Sequence, residues 1–419
     1  LSGGFKEKVE VATSLGIQVF AIQRPPLPPS FITVTGRHGL RRQVEQLLPE
    51  FYPQHTGLTT GTCATAATVA AVWKALDDNT PDTFPVLLPD GEILTIPARP
   101  TERILSADGK TVIASAFTVK DAGDDPDITN GMTIETRVTL HLSSAATSTT
   151  PLSIHIDGGC GVGRVTLPGL GIEVGQAAIN ATPRRMIENS IRHLLQSLPM
   201  RANPVSIDVL ISVPGGEEIA RRTFNPRLGI EGGISIIGTS GIVKPFSTDA
   251  FIRSIAKSME VARATGSPRV VINSGAKSER FVRAYYPDLP PQAFVHYGNF
   301  IGETLKLADS LNVPRITLGV MIGKAVKLAE GHLDTHSRQV TMNRNFIISM
   351  AREAGCGEDV CTRIDGITLA RELWDLIPAS LLPTFTQTVI DHCHHHCAPL
   401  LPHGELTILL ISEDGRIYA

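Results

Sequence analysis

The chain has 419 residues, 42% of them hydrophobic and 19% charged, with a formal net charge of -3. That length sustains two or three cores, and so balanced a charge argues against a nucleic-acid coat or a polybasic membrane contact. Six cysteines, at 63, 160, 356, 361, 393 and 397, show neither dense pairing nor a Cys-x-x-Cys pattern; with no signal peptide and no apolar run of bilayer length, a reducing, cytoplasmic setting is expected.

Residues 1 to 24 read as a helix from Phe5 to Leu15 stopped at Gly16, then a strand from Ile17 to Ile22. Pro25 to Pro29 reads as a semi-rigid connector and Gly39 to Leu48 as a short helix, so residues 1–52 resemble the tail of another domain. From Thr56 to Leu76 a polar glycine loop feeds an alanine-rich helix, with Thr59, Thr60 and Thr62 available to cap it. Such an N-terminus either packs closely on a sheet or receives an anion, where backbone amides and helix dipole act together.

Residues 84 to 156 alternate in the strand manner, at Phe84–Leu88, Ile93–Ile96, Val112–Val119, Met132–Leu142 and Leu152–Ile156, which predicts a mixed antiparallel sheet within an α+β domain over 53–222. The aspartate run between Asp121 and Gly131 lacks the alternating ligands and distal glutamate of a calcium loop, and reads as Asx-turns. Pro183 opens a helix with Arg184 and Arg185 in its first turn. Cations there oppose the dipole, which solvation or a facing anion would relieve.

The stretch Asn225 to Ser247 sets five glycines around a short apolar run, Ile234 to Ile237, and predicts a buried strand entering a glycine-rich turn. A helix capped by Ser247 or Thr248 should come next. Strands at Arg269–Asn273, Ala293–His296 and Arg315–Val320 alternate with helices near Ser278–Tyr286, Phe300–Leu311 and Lys324–Gly331. That alternation predicts a doubly wound, mostly parallel α/β domain over 223–419, with ligand loops at the carboxyl ends of its strands. Three helices and a hairpin, Leu406–Ile411 with Arg416–Tyr418, close the chain. The run from Asp391 to His403 is dense in His and Cys, and reads either as a metal cluster or as a helix with Cys393 and Cys397 in the core.

Six ordered motifs, Thr56–Ala67, Lys120–Gly131, Gly161–Gly169, Ala178–Ile187, Thr223–Pro245 and Gly323–Ser337, closely resemble those of the CbiD family over about residues 53 to 419. The resemblance implies a cobalt-precorrin-5B C1-methyltransferase of anaerobic cobalamin biosynthesis. Such an enzyme moves a methyl from S-adenosylmethionine to C-1 of a cobalt-bearing corrin-type tetrapyrrole and gives cobalt-precorrin-6A. Cobalt then enters only as part of the substrate, with no protein-bound metal. Ser2 to Pro25 look like the end of precorrin-6A reductase, so association with other enzymes of the pathway is open, as is homo-oligomerisation. Leu58, His55, Asn130 and Leu167 depart from residues common in the family.

A sulfonium methyl is already electrophilic, so this reaction asks the protein mainly to orient two ligands and exclude water. The implied polycarboxylate substrate would be held by Arg184, Arg185, Arg227, Lys244, Lys324 and Lys327, with the helix N-terminus at Thr59, Thr60, Gly61 and Thr62. S-adenosylmethionine is expected against Gly238, Thr239, Ser240 and Gly241 and against Tyr297, Gly298 and Asn299, with Glu303 or Glu217 on the ribose hydroxyls. His336 and Asp124 are the candidates for a catalytic base. Two other readings stay open: a GHMP-like small-molecule kinase, from the Thr/Gly loop, and a non-catalytic corrinoid or cobalt carrier, from the histidine-rich tail.

Overall fold

The computed structural model describes residues 5–17, 28, 31–142, 151–197 and 204–419. Two helices come first, α1 (Phe5–Ser14) and α2 (Gly36–Leu47). The strand expected at Ile17–Ile22 and the connector Pro25–Pro29 lie almost wholly outside the described residues. Two carboxylates fasten α2 to later parts of the chain: Glu92 accepts from the first-turn amides of His38 and Gly39, and buried Glu45 accepts from the Thr56 amide and hydroxyl.

The first body runs through β1 (Gly57–Leu58), α3 (Thr60–Leu76), β2 (Thr83–Leu87), β3 (Ile93–Pro97), β4 (Arg99–Leu105), β5 (Thr111–Val119), β6 (Thr133–Leu142), β7 (Ser153–Gly158), β8 (Arg164–Val165), α4 (Ala181–Ser197), β9 (Pro204–Ser212), α5 (Gly216–Ala220), β10 (Ile230–Glu231) and β11 (Ile242–Val243). Its main sheet has the order β4-β5-β6-β9-β7, antiparallel except where β7 runs parallel to β9. Inward positions of β5 are small or branched, Val112, Ala114 and Ala116, and face the buried alanines of α3. Small residues on both surfaces let helix and sheet approach closely, which is why α3 is buried on nearly every side.

The stretch Ile234–Ile237 does not form the expected strand. Ile234 and Ile236 make isolated bridges to Val162 and Ile179, and pack with Ile242 in the first core. The turns at Gly232 (φ 78) and Gly241 (φ 82) take backbone values that break a continuous ladder. The two cores divide between Ile242 and Ile255.

The second body comprises α6 (Thr248–Ala264), β12 (Val270–Asn273), α7 (Ala276–Tyr285), β13 (Phe294–His296), α8 (Ile301–Ser310), β14 (Arg315–Met321), α9 (Ile322–Ala329), α10 (Arg344–Glu353), α11 (Glu358–Asp365), α12 (Leu373–Leu376), α13 (Leu382–Cys397), β15 (Glu405–Ile411) and β16 (Ile417–Tyr418). Ser247 caps α6 as expected, its hydroxyl accepting from the Ala250 amide at 3.2 Å. The sheet order is β13-β12-β14-β15-β16, with the first four strands parallel. β15 is therefore more than one arm of a hairpin: it joins the parallel sheet after the long helical excursion from α9 to α13. Helix α7 covers one face of this sheet and α6, α8, α9 and α13 cover the other, so the sheet is doubly wound. Because the chain steps from β12 outward to β13 and then back past β12 to β14, the strand order reverses between β12 and β14, and the carboxyl ends of these strands are where an open sheet of this kind places its ligand crevice. Among the described residues no helix is long and apolar enough to cross a membrane.

Candidate functional site

Three loops meet at that crevice. After β12, the fully buried Asn273 accepts from the Gly275 amide at 3.2 Å through its side-chain oxygen. After β13, Tyr297 lies buried beneath the crevice and donates to the Gly319 carbonyl at 3.4 Å; burial pushes its phenol well above the ordinary tyrosine range. Gly298 comes next at φ 60, with the Phe251 ring 2.9 Å from where a Cβ would stand, so the turn is restricted to glycine by conformation and by space.

After β14, helix α9 brings Lys324 over the same loop. Its amine donates to the Gly298 carbonyl and to Asn299 Oδ1, the latter at 2.6 Å, and sits 5.5 Å from the Tyr297 ring centroid. Burial, helped by the nearby charge of Lys327 and opposed by Asp334, lowers its pKa to about 8. The loop after α9 then returns: the Thr335 amide donates to the Asn299 carbonyl at 3.1 Å, and Lys327 reaches the Thr335 carbonyl at 3.5 Å. The His336 amide donates to Asp334 at 3.0 Å, while His336 Nδ1 accepts from the Arg338 amide at 3.1 Å. Tyr297, Gly298, Asn299, Lys324, Lys327 and His336 are thus brought together. Glu303 stands exposed on α8, bonded to Lys306 at 2.8 Å, and Glu217 is exposed on α5.

The threonine-glycine loop and the glycine turn, expected on different ligands, fold against each other. Gly61 and Thr59 amides donate to the Ile237 and Gly241 carbonyls at 2.9 and 3.1 Å, and the Thr62 hydroxyl donates to Gly241 at 2.6 Å. The Thr60 hydroxyl donates to Ile237, and the Thr62 amide donates to the Thr59 hydroxyl at 3.2 Å. A Cβ on Gly238 would overlap that hydroxyl. The first-turn amides of Gly61 and Thr62 therefore have partners inside the fold. Thr239 and Ser240 remain exposed at the tip of the turn.

The other cations differ in availability. Arg184 donates to the Ile179 and Ile156 carbonyls at 3.0 and 2.8 Å, and burial lowers its pKa. Arg227 sets its fork on Glu279 at 2.8 and 2.9 Å, and Glu279 also receives Arg283 and His296. This network ties the turn before β10 to α7 and β13, and sequence reasoning missed it: an acid in a helix first turn already satisfies the dipole and announces no distant arginine. Arg185 is exposed, donating to the Thr182 hydroxyl, and Lys244 is exposed near Phe246, a residue held at φ 54.

The aspartate run is a set of turns. Asp121 and Asp127 accept from amides two residues on, and Asp127 also pairs with buried Lys120. Asp124 accepts from the His55 amide at 2.7 Å and faces the His55 ring at 3.2 Å, and these contacts hold its carboxyl below the usual range. It lines a cavity of about 290 Å³ between α2 and the run. The His/Cys tail is helix α13, with Cys393 and Cys397 buried in the core and His392 turned to Glu353 at 2.9 Å. His38, Asp90 and Glu92 also cluster, but Glu92 caps α2 and Asp90 pairs with Arg37 at 3.1 Å.

The family described as CbiD matches residues 49–245, and that described as CbiD, C-terminal domain, matches residues 334–419. A cobalt-precorrin-5B C(1)-methyltransferase of Prosthecochloris aestuarii is 43% identical over 363 residues, covering 86% of this chain and 95% of the relative. Another of that name, from Geobacillus thermodenitrificans, is 40% identical, covering 80% of this chain and 86% of the relative. The crystal structure of a cobalamin biosynthesis protein (cbiD) from Archaeoglobus fulgidus is 25% identical, covering 72% of this chain and 85% of that one, with a TM-score of 0.33, too low to bear on the fold. With both family regions present in order and relatives of 40 to 43% identity aligned along most of their own length, the chain belongs to the CbiD family.

Proposed function

We propose that this chain transfers a methyl group from S-adenosylmethionine to C-1 of cobalt-precorrin-5B, giving cobalt-precorrin-6A and S-adenosylhomocysteine. The observation that carries the reading is the 43% identity along 95% of a relative bearing that enzyme's name. Cobalt enters as part of the substrate. We place the donor in the crevice at the carboxyl ends of β12 and β14, against Gly298 and Asn299, with the Lys327 cation for its carboxylate. The substrate's carboxylates are assigned to Lys244 and Arg185, which are exposed, whereas Arg184 and Arg227 serve carbonyls and Glu279 within the fold.

The chemistry suits such a site. The crevice orders two ligands over a floor of buried residues, and orientation with exclusion of water supplies most of what an in-line methyl transfer needs. The test is anaerobic incubation with cobalt-precorrin-5B and methyl-labelled S-adenosylmethionine, followed by mass analysis. One labelled methyl at C-1 is expected; binding of both ligands without transfer would refute the reading. Asn299→Ala should weaken donor binding at least fivefold at unchanged thermal stability, and an unchanged dissociation constant would refute the placement.

A further inference from the structure

We propose that Lys324 is the base that takes up the proton released when the macrocycle is methylated. This inference rests on the methyltransferase reading above. A neutral lysine amine has two N–H donors and one lone pair. Both donors have acceptors on the β13 loop, the Gly298 carbonyl and Asn299 Oδ1, so the lone pair is the one position of the nitrogen left to a ligand. The side chain stands at the start of α9, which follows β14, beside the point where the strand order of the parallel sheet reverses.

Its surroundings disfavour the ammonium form. The charges that act on it are Lys327 on α9 and Asp334 on the loop after that helix, which also carries His336; Tyr297 lies beneath, and α13, which packs on α9, brings the buried thiols Cys393 and Cys397 and sets His396 against Gly331. Lys327 repels a positive charge and Asp334 attracts one, yet among the described residues no carboxylate lies within ion-pair distance of Lys324. The balance leaves its pKa at about 8, so that about a tenth of the amine is neutral at pH 7, far more than for an ordinary lysine. The two bases expected from sequence are placed less well. His336 spends Nδ1 on the Arg338 amide, and Asp124 is engaged by His55 and is a weaker base than an ordinary carboxylate.

The step balances in atoms and charge. Carbon C-1 forms a bond to the methyl carbon while the carbon–sulfur bond breaks, its electron pair going to sulfur and leaving a neutral thioether. The positive charge lost by the sulfonium appears on the macrocycle. One bond from the macrocycle to hydrogen then breaks, its pair returning to the conjugated system, and the proton joins the Lys324 lone pair. The ammonium later gives that proton to water.

The test compares kcat, its pH dependence and donor affinity for wild type, Lys324→Arg and Lys324→Ala, using cobalt-precorrin-5B and S-adenosylmethionine. Wild-type kcat should rise through a midpoint near pH 8. Both variants should lose about a hundredfold in kcat and lack that midpoint. Lys324→Arg keeps a cation at the position, and with a thermal midpoint equal to wild type its failure separates a base from a cation. Methylamine should restore turnover to Lys324→Ala. With the wild type active, kcat of Lys324→Arg within threefold of wild type overturns the proposal, as does loss of S-adenosylmethionine binding in Lys324→Ala without amine rescue. A wild type that transfers no methyl overturns the underlying reading and this assignment with it.

Discussion

Replacing Glu279 by Gln removes the negative charge held among Arg227, Arg283 and His296 where the two bodies meet. Burial alone pushes this carboxyl up, but the hydrogen bonds and charges of His296, Arg283 and Arg227 outweigh it and hold the group at about 2, against an ordinary 4.5. At 1.36 kcal/mol per pKa unit that gap is worth about 3 kcal/mol, little reduced by solvent because the side chain is only 8% exposed. Breaking such a buried pair typically costs about 3 to 5 kcal/mol, a matching scale. Because the folded value is depressed, the contribution is fully present above about pH 4.5 and is lost as pH falls towards 2. Urea unfolding of wild type and Glu279→Gln should therefore differ by about 3 kcal/mol at neutral pH, with more than half of the difference gone by about pH 3. A Gln variant within about 0.5 kcal/mol of wild type at neutral pH, or a deficit that persists unchanged into acid, would refute the reasoning.

Other consequences are open to measurement. Gly161 sits at φ 71 with a Cβ position inside the Val213 carbonyl, so Gly161→Ala should cost more than about 2 kcal/mol in chemical denaturation; a stability equal to wild type would contradict the packing between that turn and the end of β9. Alkylation of the native protein near pH 8 should modify the exposed Cys160 and spare Cys63, Cys393 and Cys397, because burial raises Cys63 and Cys397 to about 12 and Cys393 higher than its ordinary value. Peptide mapping that finds Cys393 or Cys397 labelled as fast as Cys160 would place α13 differently. His336→Ala should keep the rise of kcat near pH 8, and its disappearance would return the base to His336.

Much of the local structure was legible. The alternating apolar positions of β5 and β6, the Ser247 cap of α6 and the strand–helix alternation from β12 to α9 all arise from short-range periodicity and capping, which a stretch of ten or so residues contains in full. Residue order also put the Tyr297-Gly298-Asn299 loop at the carboxyl end of a parallel strand, the position where open sheets of this kind bind ligands.

What each polar side chain meets is a different kind of information. Arg227 looked available for a substrate until the fold carried it to Glu279, 52 positions away, and the Gly61 amide looked like an anion donor until Ile237 reached it. By itself the sequence determined most of the helices and strands, the family and the glycines that turn the chain, because dihedral preference and apolar period act between near neighbours. Tertiary structure alone decided that the Gly238–Gly241 turn seals the start of α3, that β15 completes the parallel sheet, and that Lys324 loses its water to two carbonyl oxygens. Burial and long-range pairing arise only when the layers close, and they set which charges stay free to bind a ligand and which are consumed in holding the fold.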